Sequence, residues 1–222
     1  MTFEGVDVEA VPDRLRDLQR LGIPRVPATV ISDRFVHGWN PKALADLVGV
    51  EYAEPSALSP EELSRRLDLI LAAAQRAMCQ IPADHLEMKG PGRDRSVKQL
   101  GFHIFRLSAA FREAREKGHL PDTWFRDAAP AGLTDGKAIA RHGQTVREQL
   151  REWYRRPGWC DGTVGTYYGT QSAHALMERT TWHAAQHLRQ LYWFLGRMGV
   201  EPEAPLTDAD LKGLPFPKDV WS

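Results

Sequence analysis

Hydrophobic positions along the chain change their rhythm near residue 57. Before that point the pattern shifts every few residues. Leu15, Leu18 and Leu21 recur at helical spacing in VPDRLRDLQRLG, and Gly22 closes the run. Val30-Ile31 and Phe35-Val36 flank Ser32-Asp33, which predicts two short strands about a turn. In NPKALADLVG, Asn40, Pro41 and Gly49 stand in the order of an N-cap, a first helical residue and a helix stop. Residues 1–50 therefore predict a small helix–hairpin–helix unit.

After the linker VEYAEPSA the chain turns to long amphipathic segments. Ser59, Pro60 and Glu62 stand in capping-box order ahead of a stripe of Leu63, Leu67, Ile70, Leu71, Ala74 and Met78. A second segment carries Leu100, Leu107 and Phe111 and closes at Gly118. A third carries Ile139, Val146, Leu150 and Trp153. The longest runs through Leu176, Leu191, Phe194 and Met198. Four helices of this length, with no strand pattern between them, predict a four-helix bundle. The tail APLTDADLKGLPFPKDVWS holds Leu, Phe and Trp side chains that need burial, which predicts an ordered wrap.

Composition narrows the function classes. Lys+Arg and Asp+Glu are balanced at 29 each, so there is no bulk field for nucleic acid or an acidic membrane surface. No apolar stretch reaches membrane-span length, and the N-terminus lacks the basic-then-apolar order of a secretory signal. Cys79 and Cys160 lie far apart and form no CxxC, so a cytoplasmic protein with reduced thiols is the expectation.

The candidate chemistry lies in the histidines. His183 and His187 stand four apart in TTWHAAQHLRQL, on one helix face, and continue the apolar stripe towards Leu191. His103 sits between Leu100 and Leu107 on the inward face of the second long helix. Three imidazoles converging from two helices with a fourth position open would make a catalytic Zn²⁺ or Ni²⁺ site. Spacing alone equally allows core histidines that hydrogen-bond a neighbour. His142 also falls near an inner face, as a further ligand or a supporting group. His37, His85 and His119 read as surface residues, and His174 lies off the face of the pair.

The segments KQLGFHIFRL and ERTTWHAAQHLRQL resemble the DinB-like (YfiT-like) four-helix bundles over residues 57 to 200. That family carries one histidine in the second long helix and an HxxxH pair in the last. The resemblance implies a divalent metal, zinc foremost and nickel next, held by His103, His183 and His187. It also implies a surface through which two copies could pair as a homodimer.

RVPATVISDRFVHGWNPKALADLVG resembles the second half of glutaredoxins. There, a Val-Pro with a cis peptide precedes a hairpin, a glycine turn and a helix. Val26-Pro27 would match the cis pair, and Gly38-Trp39-Asn40 the turn. In glutaredoxins these parts hold the cysteinyl backbone and the γ-glutamyl carboxylate of glutathione, the latter at a helix N-terminus. The CxxC half is missing, so dithiol exchange is not expected, and Asn40 replaces a commonly acidic residue. The expected fold is thus mainly α: a DinB-like four-helix bundle at 57–222, preceded by a small α/β partial thioredoxin-fold module at 1–50.

DinB-like bundles include enzymes that use bacillithiol, mycothiol or glutathione, for transfer to an electrophile or as an isomerisation cofactor. An open metal position suits this, because it lowers the pKa of a bound thiol. The resemblances together imply a metal-dependent S-transferase or isomerase with glutathione as co-substrate and a small electrophile as acceptor. Trp182, Tyr167 and Tyr168 are candidates to line the acceptor pocket. The alternatives are a hydrolase or lyase activating water at the same position, and a non-catalytic metal-binding stress or interaction protein. For the former, Glu178 is about 140° around the helix from His183 and poorly aimed as a base.

Overall fold

The computed structural model describes all residues except 1, 2, 7, 9, 10, 24, 25, 39, 52–57, 92–94, 218 and 222, and the side chain of Pro12. The chain is mainly helical, with two small sheets among the described residues, and it divides into two compact units, Met1–Ser56 and Ala57–Ser222.

In the first unit, α1 (Pro12–Arg20) is followed by an antiparallel pair, β1 (Ala28–Ile31) and β2 (Arg34–His37), and by α2 (Pro41–Val48). Each start and stop has a local cause. The Asn40 side chain accepts the Ala43 N–H, and Gly49 takes the left-handed conformation that ends α2 without a Cβ penalty. Arg34 donates to the Leu47 carbonyl, tying β2 to α2. Ile23, Ala45 and Leu47 are buried, whereas Val26, Val30 and Phe35 are exposed. The Val26–Pro27 peptide is cis, and the Gly38 N–H donates to the Pro27 carbonyl.

Four long helices share the core of the second unit: α3 (Pro60–Gln80), α4 (Val97–Lys117), α5 (Gly136–Trp153) and α6 (Ala173–Arg197). Each of α3 and α4 packs against both α5 and α6. Every stripe residue named above on the first three of these helices is buried, as are Leu176, Leu191 and Phe194 on α6. Each fully buried Leu, Ile or Phe contributes about 1.5–3 kcal/mol of transfer free energy, which is why the stripes rather than propensity fix the packing. Ser59 caps α3 by accepting the Glu62 N–H, but the Glu62 carboxylate turns to Arg65 and Arg66 instead of closing the box. Gly136 opens α5 where a Cβ would run into the Met78 carbonyl, so that close approach requires glycine.

The expectation of no strands between these helices is corrected. β3 (His119–Leu120) pairs in parallel with β4 (Thr163–Thr166), which forms a hairpin with β5 (Gly169–Ser172). β3 is only two residues long, and β4 and β5 are four residues each and rich in Thr and Gly, so they carry no alternation to detect. α6 consequently starts at Ala173, capped by Ser172.

The tail is ordered against the second unit where it is described. Arg76 and Gln80 of α3 donate to the carbonyls of Glu201, Glu203 and Ala204. A short helix, α7 (Asp208–Leu211), follows, and Trp221 packs edge-on against Trp193 and Phe194.

Candidate metal centre

α4 and α6 pack side by side, and their inward stripes bring three histidines together. His103 and His187 are buried, and His183 is half-buried. One ring nitrogen from each lies within 4.8 Å of the others, and the ring centroids are 4.4, 5.1 and 5.6 Å apart. A tetrahedral zinc with Zn–N bonds of about 2.0–2.1 Å needs nitrogens roughly 3.3 Å apart, so small side-chain rotations close the set. Among the described residues no Asp, Glu or Cys joins the three. An all-imidazole set of three suits zinc or nickel and leaves a coordination position for a ligand.

The local chemistry prepares neutral ligands. His187 Nδ1 lies 2.7 Å from Gln190 Oε1, and because an amide oxygen only accepts, His187 carries its proton on Nδ1. Its Nε2, fully buried, is then the lone-pair nitrogen. The imidazole of His183 is held well below its usual pKa, first by burial and then by His187, His103 and Arg179. A neutral ring is the form that binds a metal.

Gln190 belongs to the site although the sequence pattern did not single it out. Its amide donates to the Val220 carbonyl at 3.0 Å, while Gln186 donates to the same carbonyl at 2.8 Å. Arg189 donates to Gln186 Oε1 and to the Pro217 carbonyl. The residues around His187 thus seat the tail on α6, and one of them also orients a ligand. Spacing of i,i+3 from His187 is the signal that points to Gln190.

Arg179, one turn before His183, is the second such residue. With Leu107, Phe111, Phe125, Leu176 and His183 it lines a narrow pocket of about 20 Å³. The Phe125 ring stands 6.4 Å from that of His183, and Trp182 meets His183 edge-on at 5.9 Å.

The remaining candidates fall as follows. Tyr167 and Tyr168 sit in the β4–β5 turn and back Arg179 rather than lining this pocket: the Tyr167 hydroxyl accepts from Arg179, and the guanidinium lies over the Tyr168 ring. Strand geometry decides this, because the hairpin turn carries both rings to the Arg179 side chain. His142 is apart from the cluster, tilted against Phe102. His174 is also apart, and its Nε2 donates to the Leu58 carbonyl, which can only accept. In the first unit, Val26 is exposed, and the Asn40 Oδ1 caps α2. Pro27 is exposed as well, and Trp39 lies outside the described residues.

No protein-family model matches the chain, and no curated protein sequence matches it.

Proposed function

We propose that this chain is a metal-dependent enzyme of the DinB-like four-helix-bundle type that uses a low-molecular-weight thiol, glutathione foremost, on a small electrophile. The observation that carries the reading is the convergence of His103, His183 and His187, with ring nitrogens within 4.8 Å of one another. Bound there, a divalent ion, zinc or nickel, would supply a Lewis acid that favours the thiolate form of a coordinated thiol.

The chain's own residues have separate roles in this reading. His103, His183 and His187 present neutral nitrogens. Gln190 fixes the tautomer and orientation of His187, as outer-shell partners of metal-bound imidazoles do. Leu107, Phe111, Phe125 and Leu176 keep water from the space beside His183. The partial thioredoxin-fold module, with Val26, Pro27, Trp39 and Asn40, is the proposed holder of glutathione. Capping of α2 engages the Asn40 Oδ1 and leaves its amide N–H groups, with the backbone of that module, to make the contact. Cytoplasmic residence and a homodimer belong to the same reading. No helix among the described residues is long and apolar enough to cross a membrane.

Metal analysis and calorimetry test it. The protein should bind about one zinc or nickel per chain, and His183→Ala should abolish that binding. Glutathione should bind the zinc-loaded protein at least roughly tenfold more tightly than the metal-free protein. Equal affinity for both forms rejects the thiol–metal contact.

A further inference from the structure

Three other arginines with little exposed side chain are each matched to carboxylates: Arg66 to Glu62, Arg106 to Asp127 and Glu113, and Arg147 to Asp68. Arg179 differs. Among the described residues no carboxylate pairs with it. Its Nη2 donates a long bond of 3.3 Å to the Tyr167 hydroxyl, and its Cζ stands 4.5 Å from the centre of the Tyr168 ring and 5.7 Å from that of Phe125. Its Nη1 is fully buried with no hydrogen-bond partner among the described residues.

Aromatic faces stabilise a cation but accept no hydrogen bonds in the plane of the guanidinium, so they leave its N–H groups unsatisfied. Arg179 is half-buried and always charged, and an enclosed donor on such a group is costly unless something anionic completes it. The pocket that Arg179 shares with His183 is otherwise apolar except for Thr180, and it has room for roughly one oxygen-sized group. With Nη2 turned to Tyr167, the open Nη1 is left to meet one oxygen of a carboxylate, a flat group that puts a single oxygen into this space where a bulkier tetrahedral oxyanion fits less well.

We infer that the ligand reaching the three-histidine centre carries a carboxylate, and that Arg179 binds this group and selects carboxylic acids over their neutral analogues. The inference rests on the functional reading above for the centre itself, and it names the substrate class that the centre takes. The carboxylate belongs either to the thiol or to the acceptor, and both share this chemistry.

Chemical-shift titrations separate the cases. Propionate and propionamide are compared on metal-free and zinc-loaded protein, and glutathione is compared with its dimethyl ester on the zinc-loaded form. Wild-type protein should prefer a carboxylate over its neutral counterpart by roughly tenfold to a hundredfold, and Arg179→Met should remove the preference. If the glutathione-to-ester ratio collapses in R179M, the thiol supplies the carboxylate. If only the propionate preference collapses, the acceptor supplies it. A preference that survives in R179M, or its absence in every wild-type pair, overturns the inference, and so does Arg179-dependent binding of inorganic phosphate tighter than that of propionate. Arg179→Lys keeps the charge without the fork and should lose most of the preference, which serves if R179M fails to fold. The metal-free propionate arm stands without any ion. Loss of zinc binding would therefore reject the metal reading and leave the role of Arg179 to be decided by that arm.

Discussion

The Nδ1 atom of His187 and the Oε1 atom of Gln190 lie 2.7 Å apart, one turn along the same helix, and that bond ties a candidate ligand to the C-terminal tail. Gln190 uses its oxygen for the imidazole and its amide nitrogen for the Val220 carbonyl, so the orientation of His187 depends on where the tail is seated. The arrangement makes the two ends of the amide separable by experiment.

Gln190→Ala should weaken zinc binding by about 10–100-fold, the usual effect of removing an outer-shell partner. Gln186→Ala removes a neighbouring bond to Val220 without touching His187. It should cost about 1 kcal/mol of stability and leave zinc affinity nearly unchanged. Competition with a chromophoric chelator, beside urea unfolding, reads both quantities. Equal zinc affinity in Q190A and wild type would remove Gln190 from the site.

His142 should make the metal-free protein sensitive to mild acid. Burial lowers its pKa below 6.5, and the nearby Arg106 charge adds to the effect. Above pH 6.5 the ring is neutral in both folded and unfolded chains and contributes nothing. Below it the unfolded chain takes up a proton that the folded state resists, so stability falls as pH drops from 6.5 towards the folded value. His142→Phe, which keeps a ring beside Phe102, should lessen that decline between pH 7.5 and about 5.5 without abolishing it, because burial also holds His183 below its usual pKa in the metal-free protein. Urea midpoints at the two pH values check it.

Asp68 holds two arginines from α5, with bonds of 3.0 Å to Arg147 and 2.7 Å to Arg151. Burial works to raise its pKa, but hydrogen bonds from both guanidinium groups outweigh it and leave the carboxyl below 3.8. Its contribution is present above that value and is lost as pH falls through the folded pKa. Asp68→Asn should cost about 1–2 kcal/mol at pH 7, less than a fully buried pair, because the Arg151 side chain is half exposed. Chemical denaturation at pH 7 and pH 3 should show the mutant and wild type converging in acid.

The two cysteines are free and should react at different rates. Cys79 is exposed on α3, whereas Cys160 is half-buried and its thiol is pushed up to about 11, first by burial and then by Asp161 and Glu61 against the pull of Arg115. At pH 8 about one Cys160 in a thousand is then thiolate, the reactive form. Iodoacetamide followed by peptide mass spectrometry should label Cys79 first and Cys160 far more slowly than an unhindered thiol.

Residues whose signals are local were legible in the sequence. Asn40, Ser59, Gly49 and Gly118 act within one helix turn of their own positions, and each marks a helix end in the structure. The pairing of His183 with His187 is likewise a property of one helix. The β3–β4 pair was not legible, since His119 meets Gly165 across the intervening α5 and neither strand is long enough to alternate. His142 shows the same boundary from the other side. Its stripe position follows from the periodicity, but whether that face meets the histidines or Phe102 is a matter of how α5 lies against α4.

The sequence by itself determined where most of the helices start and stop, which faces turn inward, and that His103, His142, His183 and His187 stand on or near those faces. Caps and hydrophobic periodicity act over three or four residues, so they are written in the order of side chains. Only the tertiary structure decided that His103 meets His183 and His187, that Gln190 links His187 to Val220, and that Arg179 is enclosed by rings, with no carboxylate partner among the described residues. Those relationships join elements far apart in the chain, and they depend on which inward faces pack together once burial has drawn the helices into one core.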